Sequence, residues 1–242
     1  MKTSVALSAL VGGLMLSSQA MAAAITVDSV TGVWTDVDPD AAVTGEGTNV
    51  ISWGSPATSL GQSGYTFVGN APPPLPVSVG TGFNLGDFTH RNNPIFGTSL
   101  DTAELTVTTN LTIDGTSQGI ESVFEFEHLE TNNNSTTCAD GDANGDGVNV
   151  NGCADRVTFS INVGSSESFT IGGTEFFVDI TGFETGSGLA TEFWTVEEAD
   201  NLATLRGVIT SRPGEIPVPA TFALLGLGIA SLGVGMAGRR KA

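Results

Sequence analysis

The chain contains two histidines, His90 and His128, and two cysteines, Cys138 and Cys153. Imidazole changes charge near neutral pH, so two histidines brought together would form a functional site. The more ordinary reading, and the one expected here, is a pair of structural histidines that fix strand ends by hydrogen bonding. His90 lies in a predicted polar turn with Asn92, Asn93 and Pro94, and His128 shares a strand face with Phe124 and Phe126. In an exported protein an even pair of cysteines favours a disulfide. Closing this loop would stabilise the fold by ~3 kcal/mol in the chain-entropy model. A two-thiolate metal site is the rival reading, weakened by the lack of a CxxC motif and of a third cysteine.

Between the cysteines, Asp140, Asp142, Asn144 and Asp146 alternate with Gly141, Ala143 and Gly145. Oxygens at every second position, with glycine for the tight turn, suit a calcium ion. An EF-hand frame from Asp140 places Asn151 where the bidentate glutamate belongs; a dockerin-like frame from Asp142 places Cys153 there. Asp155 is then the candidate to complete the site from outside the loop, with weak, structural affinity of ~10⁻⁴–10⁻³ M. The alternative is an Asp/Asn/Gly turn pinned by the disulfide.

Other motifs dissolve on inspection. Gly115–Gly119 reads GTSQG and matches GxSxG, but a nucleophile elbow joins a strand to a helix, whereas this segment joins two strand-like runs as a hairpin turn would. Glu125 and Glu127 share a strand face, yet paired carboxyls that hydrolyse sugars usually come from different elements ~5–10 Å apart; a solvated face is expected. Trp34, Trp53, Tyr65 and Trp194 offer a sugar-stacking surface or core packing. Phosphate-loop, dinucleotide, HExxH and basic-stripe motifs are missing from the sequence.

The elements that must position these residues read as strands. Short β-branched and aromatic runs alternate with Gly, Asn, Asp, Ser and Pro clusters, which predicts an all-β antiparallel β-sandwich or jelly roll. Leu105, Val107, Thr109, Leu111 and Ile113 alternate with polar residues on one such strand, one face buried and one wet. Further strands are expected at Thr26–Trp34, Val50–Trp53, Gly64–Val68, Phe159–Val163, Ser168–Phe183, Phe193–Val196 and Leu202–Ile209, and Val196–Leu205 is the one stretch that could hold a helical turn. Pro72, Pro73, Pro74 and Pro76 make a stiff connection unsuited to a central strand.

Two targeting segments bracket this body. Lys2, an apolar run from Val5 to Leu16 and Ala20-Met21-Ala22 form a secretory signal peptide, cleaved after Ala22 or alternatively Ala24. At the other end, Ala220–Ala237 is an uncharged apolar stretch of 18 residues followed by Arg239, Arg240 and Lys241. That is near the lower limit for a helix crossing a ~30 Å hydrocarbon core, with its basic end held on the cytoplasmic side. Only Arg91, Arg156, Arg206 and Arg212 then face the 26 acidic residues of the body. Such a surface repels nucleic acid and favours solubility.

Pro217-Val218-Pro219-Ala220, the apolar segment and Arg239-Arg240 together resemble the PEP-CTERM sorting signal of Gram-negative bacteria. The resemblance implies recognition by an exosortase-type processing enzyme, although Val218 stands where that signal has glutamate. A retained C-terminal transmembrane anchor is the alternative. In the body, Ser52-Trp53-Gly54, Gly61–Tyr65, Gly86–Ile95, Phe124–Asn132 and the Cys138–Asp155 region resemble the THxN family of PEP-CTERM proteins, related to choice-of-anchor K domains. Thr89-His90-Arg91-Asn92 is the naming motif. The resemblance implies export and sorting, not a chemistry.

The expected organisation is a signal peptide (1–22), a β-sandwich domain (23–209), a linker and sorting motif (210–219) and a C-terminal transmembrane or sorting helix (220–242). The expected function is that of a non-enzymatic protein exported across the inner membrane to the envelope, surface or biofilm matrix. It would contact the membrane through its tail before processing, and envelope polysaccharide afterwards. A calcium-assisted carbohydrate-binding or adhesion module, and a hydrolase using His90 or His128, are the alternatives.

Overall fold

A computed structural model describes residues 23–70, 74–160, 167–186 and 188–214. The expected signal peptide, Pro72 and Pro73, and the tail with its sorting residues Pro217, Val218, Pro219, Ala220, Arg239 and Arg240 lie outside the described residues. Among those described, no helix is long and apolar enough to cross a membrane.

The strands are β1 (Ile25–Asp38), β2 (Val43–Thr44), β3 (Val50–Trp53), β4 (Ser55–Pro56), β5 (Ser63–Gly69), β6 (Leu75–Val77), β7 (Gly82–Asn92), β8 (Ile95–Phe96), β9 (Thr102–Ile113), β10 (Thr116–Leu129), β11 (Asp155–Ser160), β12 (Phe169–Ile171), β13 (Thr174–Thr185), β14 (Gly188–Ala190), β15 (Glu192–Thr195) and β16 (Ala199–Pro213). They build the expected all-β antiparallel sandwich. One sheet runs β15-β11-β10-β9-β1-β6 and the other β12-β13-β16-β7-β5-β3-β2, with β14 paired to β13 and β4 to β8.

Period-two alternation drives the assembly. Along β9, Leu105, Val107, Leu111 and Ile113 are fully buried, and on β10 Ile120, Phe124 and Phe126 point the same way while Glu127 stays in solvent. The two strands meet in a hairpin whose central residues, Asp114 and Gly115, both have positive φ (48° and 82°), the geometry that matches strand twist. The GTSQG segment therefore opens β10, and Thr116 pairs with Ile113. Pro76 is tolerated because β6 is an edge strand that pairs only with β1.

The core is aromatic. Trp34 lies 5.1 Å from Phe126, Phe88 stacks on Phe126 at 5.6 Å, and Phe183 meets Phe159 edge-on at 5.0 Å. Each such ring stabilises the fold by ~1.5–3 kcal/mol through removal of apolar surface from water.

Several expectations are corrected. Ser168–Phe183 is two strands, not one: β12 and β13 turn on Gly172-Gly173, both at positive φ. Val196–Leu205, the one stretch that could hold a helical turn, holds instead a tight turn with Glu198 at φ 58° leading directly into β16. That strand continues to Pro213, so residues expected in a linker from 210 onward pair with β13 as far as Thr174↔Pro213. His90 is in strand β7, not in a turn.

Candidate functional site

At one end of the sandwich the aromatic core gives way to polar groups sealed between the sheets. Register explains how they arrive there. In β7 the pairing with β16 slips between Leu205 and Arg206. Inward-facing residues change parity across that bulge, from Phe83 and Leu85 to Phe88, His90 and Asn92. The H-x-N spacing of the motif therefore places both side chains in the interior. Thr89 and Arg91 face the other way; Arg91 donates to Gln62 O at 3.0 Å and Ser52 Oγ at 3.2 Å. The guanidinium lies across Gly64, where a Cβ would come within 2.8 Å of Nη2.

The opposite sheet supplies the partners. His128 is inward on β10, Asp155 opens β11, and Thr195 closes β15 opposite Asp155. Glu130 and Glu197 follow β10 and β15. His90, Asn92, Asp155, Thr195 and Glu197 are all fully buried, and the two imidazole rings lie 5.2 Å apart, edge to face.

Hydrogen bonds orient the rings. Thr195 Oγ1 donates to Asp155 O at 3.1 Å, so it accepts from His90 Nδ1, 2.9 Å away. The proton of neutral His90 is thereby placed on Nδ1 and the lone pair on Nε2, which has no hydrogen-bond partner. His128 Nδ1 is 2.7 Å from Tyr65 Oη, and its Nε2 faces Glu130 Oε2 at 3.3 Å and Asp155 Oδ2 at 3.9 Å. Asp155 Oδ1 accepts the Thr131 N–H at 2.7 Å, leaving Oδ2 without a hydrogen bond.

The electrostatics follow from burial. Desolvation, reinforced by the neighbouring Glu130 and Glu197, raises Asp155 well above the usual carboxylate range. Burial pushes Glu197 up to about 7. Neither of its oxygens has a hydrogen bond of acceptable geometry, although the side-chain amides of Asn133 and Asn92 are near enough to oppose the rise. His90 is lowered well below the ordinary imidazole value, by burial first and by His128 second. Tyr65 is raised well above its usual value, chiefly by burial. Trp53, stacked on His90 at 5.8 Å, keeps its indole N–H without an acceptor.

Glu130 is the link to the surface. Its side chain is 22 % exposed and lines two grooves. One, of about 290 Å³, runs past Thr131, Asn132 and the disulfide; the other, of about 380 Å³, runs past Phe96, Asn132, Asn133 and Asn134.

The candidate calcium ligands of the loop do not gather into one cluster among the described residues. Cys138 and Cys153 are bonded, with Cα atoms 5.2 Å apart, but the loop's polar groups pair within the loop and with the segment just before it. Asp140 accepts from the Asp142 N–H and from Asn149 Nδ2, and Asn144 Nδ2 donates to Asn133 O and Ser135 O. Asp142 and Asp146 point to solvent, while Asp155 turns inward to the histidines. Among the described residues, the groups that gather within 4.8 Å are His90, His128 and Asp155, and Glu130, Asp155 and Glu197.

Of the two readings of the aromatic set, core packing holds for three of the four residues. Trp34, Trp53 and Tyr65 are fully buried, because each occupies an inward parity position of its strand. Trp194 is half-buried beneath the Arg156 guanidinium, 5.7 Å from its ring. Thr195, Glu130 and Glu197 escaped sequence reasoning because loop and strand-end positions carry no periodic signal. Compared with known proteins, the chain matches no family model, and no curated protein matches its sequence.

Proposed function

We propose that this chain is an exported β-sandwich protein of a Gram-negative cell envelope, surface or extracellular matrix, sorted by its C-terminal tail and acting by binding or assembly rather than catalysis. The observation that carries this reading is the Cys138–Cys153 disulfide, a bond that persists in oxidising compartments and is rare in the cytosol. The tail's resemblance to a sorting signal and the acidic body agree with it. An exosortase-type enzyme would process the tail, and envelope polysaccharide would be the partner of the released body.

Intact mass of the protein from membrane and medium fractions of its native host tests the reading. A species lacking residues 1–22 and everything beyond the 216–220 region, with or without added glycan, is expected. A full-length mass that retains residues 1–22 would overturn export; a mass that lacks them yet retains Arg239–Ala242 would replace sorting with a permanent anchor.

A carbohydrate-binding role is a second reading, favoured by a specific surface. Phe96 is 68 % exposed in a groove shared with Asn132, Asn133 and Asn134, an aromatic face beside amide donors and acceptors of the kind that suits sugar rings. A glycan array with no ligand bound, in calcium or in chelator, would remove it.

A further inference from the structure

The polar pocket between the sheets holds more acceptors than donors. His90 Nε2, Asp155 Oδ2, both oxygens of Glu197, Asn92 Oδ1 and Asn133 Oδ1 are all buried without a hydrogen-bond partner. Buried polar atoms are normally paired, and each left bare costs on the order of 1–3 kcal/mol. A concentration of bare lone pairs is what a cation relieves.

We propose that His90, His128 and Asp155 form a binding site for a first-row divalent transition metal ion, with Glu130 closing the coordination on the groove side. This site is independent of how the protein is sorted.

Three features support it. The ligand atoms of the triad already lie within 4.8 Å of one another. A tetrahedral ion with bonds of ~2.0–2.2 Å holds its ligands ~3.4 Å apart, so the cluster closes by roughly 1–1.5 Å at its widest. Both imidazoles also have the outer partners that metal-bound histidines use. Thr195 Oγ1 accepts a hydrogen bond from Nδ1–H of His90, and Tyr65 Oη stands 2.7 Å from Nδ1 of His128. With His128 in the tautomer protonated on Nδ1, Tyr65 Oη accepts the hydrogen bond from Nδ1–H and Nε2 turns its lone pair to the ion. Finally, Glu130 joins the cluster to two surface grooves, which supplies the entry path that a buried site requires. Two imidazoles with a carboxylate select a borderline ion of the zinc, iron, cobalt or nickel type over calcium or magnesium.

The test uses the full chain, stripped with chelator and titrated with Zn²⁺ by calorimetry and with Co²⁺ by visible absorption. One saturable equivalent is expected, with the intense absorption of low-symmetry, nitrogen-ligated Co²⁺. His90→Gln and His128→Gln should each weaken Zn²⁺ binding by more than the ~10–100-fold typical of losing an outer partner. Asp142→Asn, in the exposed loop, should leave it unchanged. Absence of saturable Zn²⁺ binding by the wild type would overturn the proposal, as would folded histidine variants that bind undiminished. If both variants fail to fold, the wild-type Co²⁺ spectrum decides: a weak, octahedral all-oxygen spectrum rejects the site.

Discussion

Two regions of this molecule are rich in oxygen ligands, and they behave oppositely. The loop between Cys138 and Cys153 carries alternating acids and glycines, yet Asp140 and Asn144 are hydrogen-bonded within the loop and its surroundings. The pocket beneath β7 and β10 has no local cation-binding motif, yet six of its acceptor atoms lack partners. The difference teaches that a ligand site is marked less by which residues a segment contains than by which lone pairs its fold leaves bare. A surface loop satisfies itself or turns to water. A pocket between two sheets can do neither.

The comparison can be broken or sharpened experimentally. The largest expected effect lies in the aromatic floor on which the pocket rests. Phe126→Ala should destabilise the protein by ~3–5 kcal/mol, read from the denaturant midpoint at constant slope; a loss below ~1 kcal/mol would mean that the floor is not rigidly packed. Next comes the loop. Converting both Cys138 and Cys153 to serine should cost ~3 kcal/mol through the unfolded chain, while a Zn²⁺ equivalent remains measurable in the folded fraction. If binding vanished in a folded double variant, the two regions would be one site.

Smaller still is Thr195→Val, which removes the hydroxyl that accepts from His90 Nδ1 and donates to Asp155 O. A stability loss of ~1–3 kcal/mol should accompany a 10–100-fold weaker Zn²⁺ affinity. An unchanged affinity would show that the hydroxyl does not orient the imidazole. The smallest effect belongs to Asp142→Asn with Asp146→Asn on the exposed loop, expected within ~0.5 kcal/mol of the parent. Thermal unfolding with and without calcium completes the comparison: a calcium-dependent rise in Tm that this pair abolishes would restore the loop as a cation site.

Much of the sandwich was legible in the sequence because alternation survives wherever a strand is regular. Leu105 to Ile113 and Phe124 to His128 point as their parity requires, and the Asp114-Gly115 turn has the chemistry of its geometry. The same parity places Trp34 with Val30, and Trp53 with Ile51, in the interior, which decides between the two readings of these rings in favour of core packing. The bulge in β7 was not legible. One slipped residue decides that His90 and Asn92 face inward, and nothing in residues 82–92 announces it except Gly86. The meeting of His90 with His128, and of both with Asp155, Thr195 and Glu197, depends on pairing between strands distant in sequence; local pattern carries no information about it. The expected turn at His90 fails because Thr89–Asn92 closes strand β7, with His90 and Asn92 on its buried face.

Strand β16 has a mechanical consequence. It lies between β13 and β7 and runs from Ala199, paired with Asn92, to Pro213, paired with Thr174. Its hydrogen bonds stand perpendicular to the strand on both sides. Tension applied along its axis from beyond Gly214 therefore loads those bonds in shear, many at once, instead of peeling them singly. Whatever holds the chain at that end pulls on the strongest direction of the sheet, and a slip of the whole strand would carry Asn201 past its partner His90.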